Sequence, residues 1–270
     1  MKNERNPKEI VKEKYAAIAG QIGNLNTSSC CTFDPLCCAG ATVSLMAEDY
    51  GALEGYEPDA NLSLGCGLPT VFANMKKGDT VVDMGSGAGN DCFVARSAVG
   101  PSGRVIGIDF TVSMIDRAKQ NVEKMKFDNV EFRLGDIENM PISSNTADVV
   151  VSNCVLNLVP NKHRAFSEIY RILKPGGHFS IADIVLEGRL PQKLKQAAEM
   201  YAGCVAGAIQ KKEYLKIIQE SGFSKISIQK EKKIMLQDEI LRQYLSPSEL
   251  EELRQSNPGI CSIIVYAEKL

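Results

Sequence analysis

The sequence predicts an α/β protein with a doubly wound, parallel sheet. Three observations carry that expectation. Short apolar runs recur between residues 79 and 185, with helix-length segments between them. The first run ends in a glycine-rich turn and the second in an acidic residue. Strands that alternate with helices pair in parallel, and such sheets bind ligands beyond the carboxyl ends of their strands.

The elements follow in order. "DTVVDMGSGAGND" (79–91) is a strand, a turn and a helix start; "GRVIGIDF" (103–110) is a second strand with Asp109 near its end. "SMIDRAKQNVEKM" sets Ile115, Ala118, Val122 and Met125 on one helical face, with Ser113 and Asp116 at capping-box spacing. "NVEFRLGD" (129–136) and "ADVVVSNCV" (147–155) are the third and fourth strands. "KHRAFSEIYRIL" repeats apolar positions at Ala165, Ile169, Ile172 and Leu173, and Lys174-Pro175-Gly176-Gly177 stops it. "HFSIADIV" (178–185) is the fifth strand. Beyond it, "LPQKLKQAAEMYAGCVAGA" and "KKEYLKIIQESGF" read as helices over the substrate side. In "SPSELEEL", Ser246 caps a helix that has Pro247 in its first turn and Glu249 three residues on.

Composition narrows the class. The 270 residues suit one main domain plus an appendage, and 44% apolar content is ordinary for a globular chain. The net charge is −2 with both signs interspersed, and no basic run suggests nucleic acid. No run of 18 apolar residues would span a bilayer. The start, "MKNERNPKEIVKEKY", is charged and has no apolar signal core, so a cytoplasmic location is expected, as a monomer.

Nine cysteines remain to be explained. An odd number in a reducing compartment argues against a disulfide framework. Four lie as adjacent pairs in "LNTSSCCTFDPLCCAG" (25–40): Cys30, Cys31, Cys37 and Cys38. The spacing between the pairs does not match the short hooks of structural zinc. Cys66, Cys92, Cys154, Cys204 and Cys261 stand alone. Cys92 and Cys261 are expected in the core. Cys154 ends the fourth strand, and Cys204 shares a helical face with Tyr201 and Ala208; each reads by itself as a core residue. Cys66 sits between Gly65 and Gly67, a poor place for core packing, so a buried thiol and an exposed reactive one are both open. Neither His163 nor His178 has a context that demands catalysis, and both read as structural. Residues 40 to 60, with Tyr50 and Tyr56, read as a lid entering the site before Cys66.

Gly85, Gly87 and Gly89 form the turn after the first strand. Such glycines let backbone approach a ligand, and the helix start behind them offers unpaired N–H groups. A tight turn alone is the other reading. The order strand, turn, helix, strand, acid points to a nucleotide, with Asp109 placed for both ribose hydroxyls. The third glycine departs from dinucleotide spacing, and Asp83 precedes the turn.

"VVDMGSGAG", "GIDF", "GDIENMP" and "LKPGGHF" together resemble the class I S-adenosylmethionine-dependent methyltransferases, over about residues 78 to 186. The resemblance implies a seven-stranded, mostly parallel sheet. "FSKISIQK" (223–230) and "ICSIIVYAEKL" (260–270) would be its last two strands, the seventh antiparallel. It implies that Asp83, Gly85, Gly87 and Gly89 surround the methionine part of the cofactor and that Asp109 holds the ribose. Met114 would pack on the adenine, Asp136 and Ile137 would meet its edge, and Asn153 would sit where the fourth strand reaches the cofactor.

"NLSLGCGLP", "VVVSNCVLNLVPNK" and "AGCVAGA" are similar to the arsenite methyltransferases, in that family's order. This narrower likeness implies Cys66, Cys154 and Cys204 as thiolate ligands of trivalent arsenic, a soft centre that selects sulfur. It also implies an upstream cysteine, for which Cys30 or Cys31 is the candidate, in arsenic delivery and a turnover disulfide. A thiol reductant, glutathione or thioredoxin, is then a co-substrate. No general base is required, and the expected role is arsenic detoxification. Gly203 departs from an acidic residue found in some relatives. The organisation expected is an N-terminal helix, cysteine-pair segment and lid over 1–65, a cofactor domain over 66–186, and substrate-side helices with the final strands over 187–270. Two other readings are a class I methyltransferase of a small organic acceptor and a non-enzymatic arsenic- or metal-binding protein.

Overall fold

The computed structural model describes residues 7–21, 48–189, 205, 207–234, 241–242, 245–256 and 258–270. Among them are seven strands: β1 (Thr80–Met84), β2 (Arg104–Asp109), β3 (Val130–Leu134), β4 (Ala147–Asn153), β5 (Leu173–Glu187), β6 (Ser224–Ile234) and β7 (Gly259–Glu268). They form one sheet in the order β3-β2-β1-β4-β5-β7-β6. The first five pair in parallel, and β7 runs antiparallel between β5 and β6. This is the sheet the class I likeness implied. The helices are α1 (Pro7–Gln21), α2 (Asn90–Val99), α3 (Val112–Met125), α4 (Lys162–Ile172), α5 (Lys211–Glu220) and α6 (Pro247–Ser256). No described helix is long and apolar enough to cross a membrane.

Parallel strands buried on both faces need apolar residues at every position, and β1 shows why. Val82 and Met84 pack with Phe166 and Ile169 of α4 and Tyr214 and Ile217 of α5. Val81 points the other way, onto Phe93 of α2 and Ile115 and Ala118 of α3. Each such large side chain, fully buried, contributes ~1.5–3 kcal/mol. A third cluster lies towards β7, where Ala182 and Ile184 of β5 and Ile260 and Ile264 of β7 enclose Cys66 and Cys154.

Two local expectations differ from the structure. The capping box at Ser113 is not used, because α3 begins a residue earlier and has Thr111 at its N-cap. The Asp109 carboxylate instead accepts the Thr111 N–H at 2.8 Å and anchors the helix entry. The fifth strand begins at Leu173, before His178, since Gly176 N–H donates to the Lys269 carbonyl at 2.8 Å and keeps this stretch beside β7. The other capping box forms as expected: Ser246 N–H donates to Glu249 Oε2 at 2.8 Å, and Glu249 N–H donates to Ser246 Oγ at 3.3 Å. His178 bonds the Ala73 carbonyl at 2.6 Å and stacks near Tyr266, while His163 is exposed on α4.

Asp183 is fully buried in β5. Its Oδ1 accepts from Asn157 Nδ2 at 2.8 Å and Ile184 N at 3.0 Å, and its Oδ2 accepts from Tyr214 Oη at 3.2 Å. Burial pushes this carboxyl up to about 7, against the pull of the Ile184 amide and the Lys162 charge. The neutral acid is therefore the form that suits the fold. Stability from this group is full below pH ~4, where the unfolded carboxyl is also protonated, and is lost as pH rises through about 7. Asp183→Asn, which mimics the neutral acid, is expected to gain ~2–3 kcal/mol relative to wild type between pH 5 and pH 8. Urea unfolding at the two pH values measures this; an unchanged difference would refute the assignment.

Candidate functional site

In an open parallel sheet the ligand crevice lies where strand order reverses, here between β1 and β4. A cleft of about 1040 Å³, counted with its open mouth, lies there. Asp83, Gly85, Gly87, Asp109, Met114, Asp136, Ile137, Asn153 and Cys154 all line it. Gly89 does not line it. It stands at the N-cap of α2, with Phe93 and Phe132 where a side chain would go.

The glycine turn differs from a phosphate-binding loop. The amides of Gly85 and Ser86 both donate to the Ile108 carbonyl, at 2.7 and 2.9 Å. Gly89 N–H donates to the Ser86 carbonyl at 2.9 Å, and Gly87 N–H to Asp109 Oδ2 at 3.1 Å. These four amides of the turn are thus satisfied inside the protein. Gly85 is required for another reason: its φ is +72°, and a β-carbon there would meet the Val155 methyls.

The cleft is acidic. Asp83, Asp91 and Asp109 are buried or nearly so, and each carboxyl is raised chiefly by burial. The Asp91 charge pushes Asp83 further up, whereas hydrogen bonds from Tyr50 and Asn153 hold Asp91 to about 6. Three desolvated carboxyls in one cavity favour a cationic ligand. Ser86 Oγ and Asn90 Oδ1, both in the cleft wall, are buried with no hydrogen-bond partner. These unmet polar atoms, the acidic lining and the satisfied glycine turn fit a cationic, phosphate-free nucleoside such as S-adenosylmethionine.

Cys66 and Cys154 belong to the same buried cluster, the third, at 1% and 3% exposure, and of the two it is Cys154 that lines the cleft. The exposed reading of Cys66 is therefore corrected. A glycine on either side lets its loop press into the sheet: a side chain at Gly65 would strike Asn153, and one at Gly67 would strike Ala182. Asn153 Oδ1 accepts the Cys66 N–H at 2.9 Å, and Asn153 Nδ2 donates to the Gly67 carbonyl at 2.8 Å and Tyr50 Oη at 2.7 Å. Ser262 Oγ donates to the Cys66 carbonyl at 2.6 Å. Cys154 itself has φ +63°, a left-handed conformation that costs a β-carbon-bearing residue ~1–3 kcal/mol and clusters at functional sites.

Cys204, Cys30, Cys31, Cys37 and Cys38 lie outside the described residues. Val205, next in the chain to Cys204, is buried in the same cluster as Cys66 and Cys154. Cys92 and Cys261 are buried as expected; Cys92 Sγ donates to Asp83 Oδ2 at 3.2 Å.

Sequence reasoning missed a pair. Tyr50 Oη donates to Asp91 Oδ1 at 3.0 Å, and both contact Asn153 at the cleft wall. Tyr50 lies in the stretch that reads as a lid, and nothing around it in the chain names a polar partner. Asp91 closes the glycine motif in plain sight, but its partner is 41 residues away.

Comparison with known proteins agrees with this geometry. A family model described as a methyltransferase domain matches residues 75–222. An arsenite methyltransferase of Halobacterium salinarum is 42% identical over 82% of this chain and 58% of its own length. One from Aquipseudomonas alcaligenes is 32% identical over 88% of this chain and 68% of its length. The crystal structure of an arsenic(III) S-adenosylmethionine methyltransferase from Chlamydomonas reinhardtii superposes with a TM-score of 0.63 at 26% identity, covering 86% of this chain and 73% of that one. The chain thus spans between half and three quarters of these relatives' lengths.

Proposed function

Because the chain belongs to the arsenite methyltransferase family, we propose that it transfers a methyl group from S-adenosylmethionine to trivalent arsenic held by cysteine thiolates. The observation that carries this is that Cys154 lines the acidic cleft and shares a buried cluster with Cys66.

Asp109 would hold the ribose hydroxyls, while Asp83 with the turn of Gly85 and Gly87 would face the methionine end. Gly89 shapes that turn from behind. Met114, Ile137 and Asp136 would meet the adenine. When bound, S-adenosylmethionine supplies a methyl group on a sulfonium, an electrophile for the arsenic lone pair. The protein's own part is to bind, orient and keep water out.

Cys66, Cys154 and Cys204 are the proposed arsenic ligands. Their apolar surroundings suit the substrate, because arsenic(III) with three thiolates is neutral overall. Arsenite arriving as a tris-hydroxide would leave as three waters, each hydroxide taking one thiol proton. Arriving as a tris-glutathione adduct, it would release three glutathiones instead. Either exchange avoids burying a net charge, which an apolar cluster would resist. The position of Val205 beside the two described cysteines supports Cys204 as the third ligand.

Methylation raises arsenic by two oxidation levels. One further thiol would attack the sulfur of a ligand cysteine, forming an S–S bond as that As–S bond breaks. This returns the two electrons to arsenic and releases the one proton of the attacking thiol. Cys30 or Cys31 with a ligand cysteine is the proposed pair, reopened by glutathione or thioredoxin. In this scheme residues 1–65 deliver arsenic, 66–186 hold the cofactor and 187–270 complete the substrate side. Arsenic detoxification by a cytoplasmic monomer is the setting proposed.

The test is S-adenosylhomocysteine release in excess glutathione, with and without arsenite. Release is expected only with arsenite, together with methylated arsenic. Arsenite-independent release on a small organic acceptor would transfer the reading to an organic methyltransferase. Failure to bind S-adenosylmethionine, with arsenite still bound, would leave a sequestering protein.

A further inference from the structure

Two residues of the cleft wall come from the start of the chain. Lys8 and Tyr15 of α1 both line the cavity. They are seven residues apart, two turns, and so share one face of the helix. Lys8 Nζ lies 2.6 Å from Asp136 Oδ2 and also pairs with Glu138. Both acceptors are themselves held. Asp136 Oδ1 accepts the Glu138 N–H at 2.9 Å, and Glu138 Oε1 accepts the Asn161 N–H at 2.8 Å. Burial works to lower Lys8, but its bonds to the two carboxylates outweigh it and leave the ammonium raised. Burial likewise acts to raise Asp136, and the bonds from Lys8 and the Glu138 amide outweigh it. Both partners are charged at neutral pH.

The far end of α1 is fastened separately, where Arg117 of α3 donates to the Ala19 carbonyl at 3.4 Å. Among the described side chains of α1 none is buried. Lys8 is 30% exposed and Asp136 44%, and an ion pair this open to solvent is worth ~0–1 kcal/mol, whereas the Glu138 carboxylate is 8% exposed. Because Lys8 and Tyr15 turn this face of the helix to the cavity, a molecule filling the cleft adds contacts to α1.

We propose that α1 is part of the cofactor site, with Tyr15 a direct contact of the bound cofactor and Lys8 a positioning residue that fastens the helix and holds the Asp136 carboxylate. This rests on the reading of the cleft as the S-adenosylmethionine site, and on nothing about arsenic. The cofactor then docks α1, and α1 in turn slows its escape.

The experiment uses the full chain and S-adenosylhomocysteine. Its affinity and dissociation rate are measured for wild type, Lys8→Met, Lys8→Arg, Tyr15→Ala and Tyr15→Phe, and trypsin cleavage within α1 is followed with and without ligand. Lys8→Met and Tyr15→Ala are expected to weaken binding about 5- to 20-fold, mainly through faster release, with the ligand-free melting temperature unchanged. Lys8→Arg and Tyr15→Phe, which keep the pair and the ring, should restore most of it, and ligand should protect α1 from trypsin in wild type. Wild type that binds tightly while both disruptive variants bind equally well, with α1 cut at the same rate throughout, would overturn the proposal alone. Wild type that does not bind S-adenosylhomocysteine at all would overturn the cofactor reading and this inference together.

Discussion

Cys154→Ser is expected to lower arsenite-dependent S-adenosylhomocysteine release by about three orders of magnitude while leaving S-adenosylmethionine affinity within about threefold. Losing a soft ligand of ~4 kcal/mol is enough for that rate effect. Serine is nearly isosteric, so the left-handed turn at φ +63° and the Cys154 N–H bond to the Ala182 carbonyl at 2.8 Å have no reason to move. A hydroxyl in the apolar cluster adds a stability cost of ~1–3 kcal/mol. Cys154→Ala is the companion, since it removes the sulfur without burying a hydroxyl. Both variants are expected to fail in turnover and to bind cofactor. Retained arsenite methylation in either would remove Cys154 from the ligand set and turn the third cluster into ordinary core.

The second large effect is at Asp109, where Asp109→Ala is expected to weaken S-adenosylmethionine binding ~10²- to 10³-fold, read by calorimetry. Two hydrogen bonds from ribose hydroxyls to a carboxylate are worth ~1.5–3 kcal/mol each. The same side chain also orders the site, because Oδ2 takes the Gly87 N–H and Oδ1 takes the Thr111 N–H. Asp109→Asn is expected to be nearly as damaging. Both oxygens already face a backbone donor, so an amide would turn its own N–H₂ against one of them. An asparagine variant that binds within threefold of wild type would mean that the ribose is held elsewhere.

The sheet was legible because its signals are local. The continuous buried runs "TVVDM" and "RVIGID", helical periodicity in α3 and α4, and the stop at Lys174 each act within a few residues. The Asp109 carboxylate was legible too, since its place at the end of β2 follows from chain order. Where local reasoning failed, a distant group intervened. The Ser113 cap lost to a carboxylate already bonded to the helix entry. The amides of Gly85, Ser86 and Gly87 go to Ile108 and Asp109 at the end of the neighbouring strand, which the turn's own residues do not show. Whether the G-C-G loop was buried or exposed stayed open, because nothing in nine residues shows that Asn153 and Ala182 lie beneath its glycines.

The amino-acid sequence by itself determined the α/β class, the strands of the parallel sheet, the cofactor-side carboxylates and the family likeness, all of which depend on spacing along the chain. Only the tertiary structure decided that Cys66 is buried beside Cys154, that Tyr50 and Asp91 join Asn153, and that α1 reaches the cleft through Lys8 and Tyr15. These pairings span 41 to 128 residues. Which partner a buried polar group finds at that range depends on how packed elements meet, because a buried donor or acceptor must be satisfied by whatever the fold brings to it.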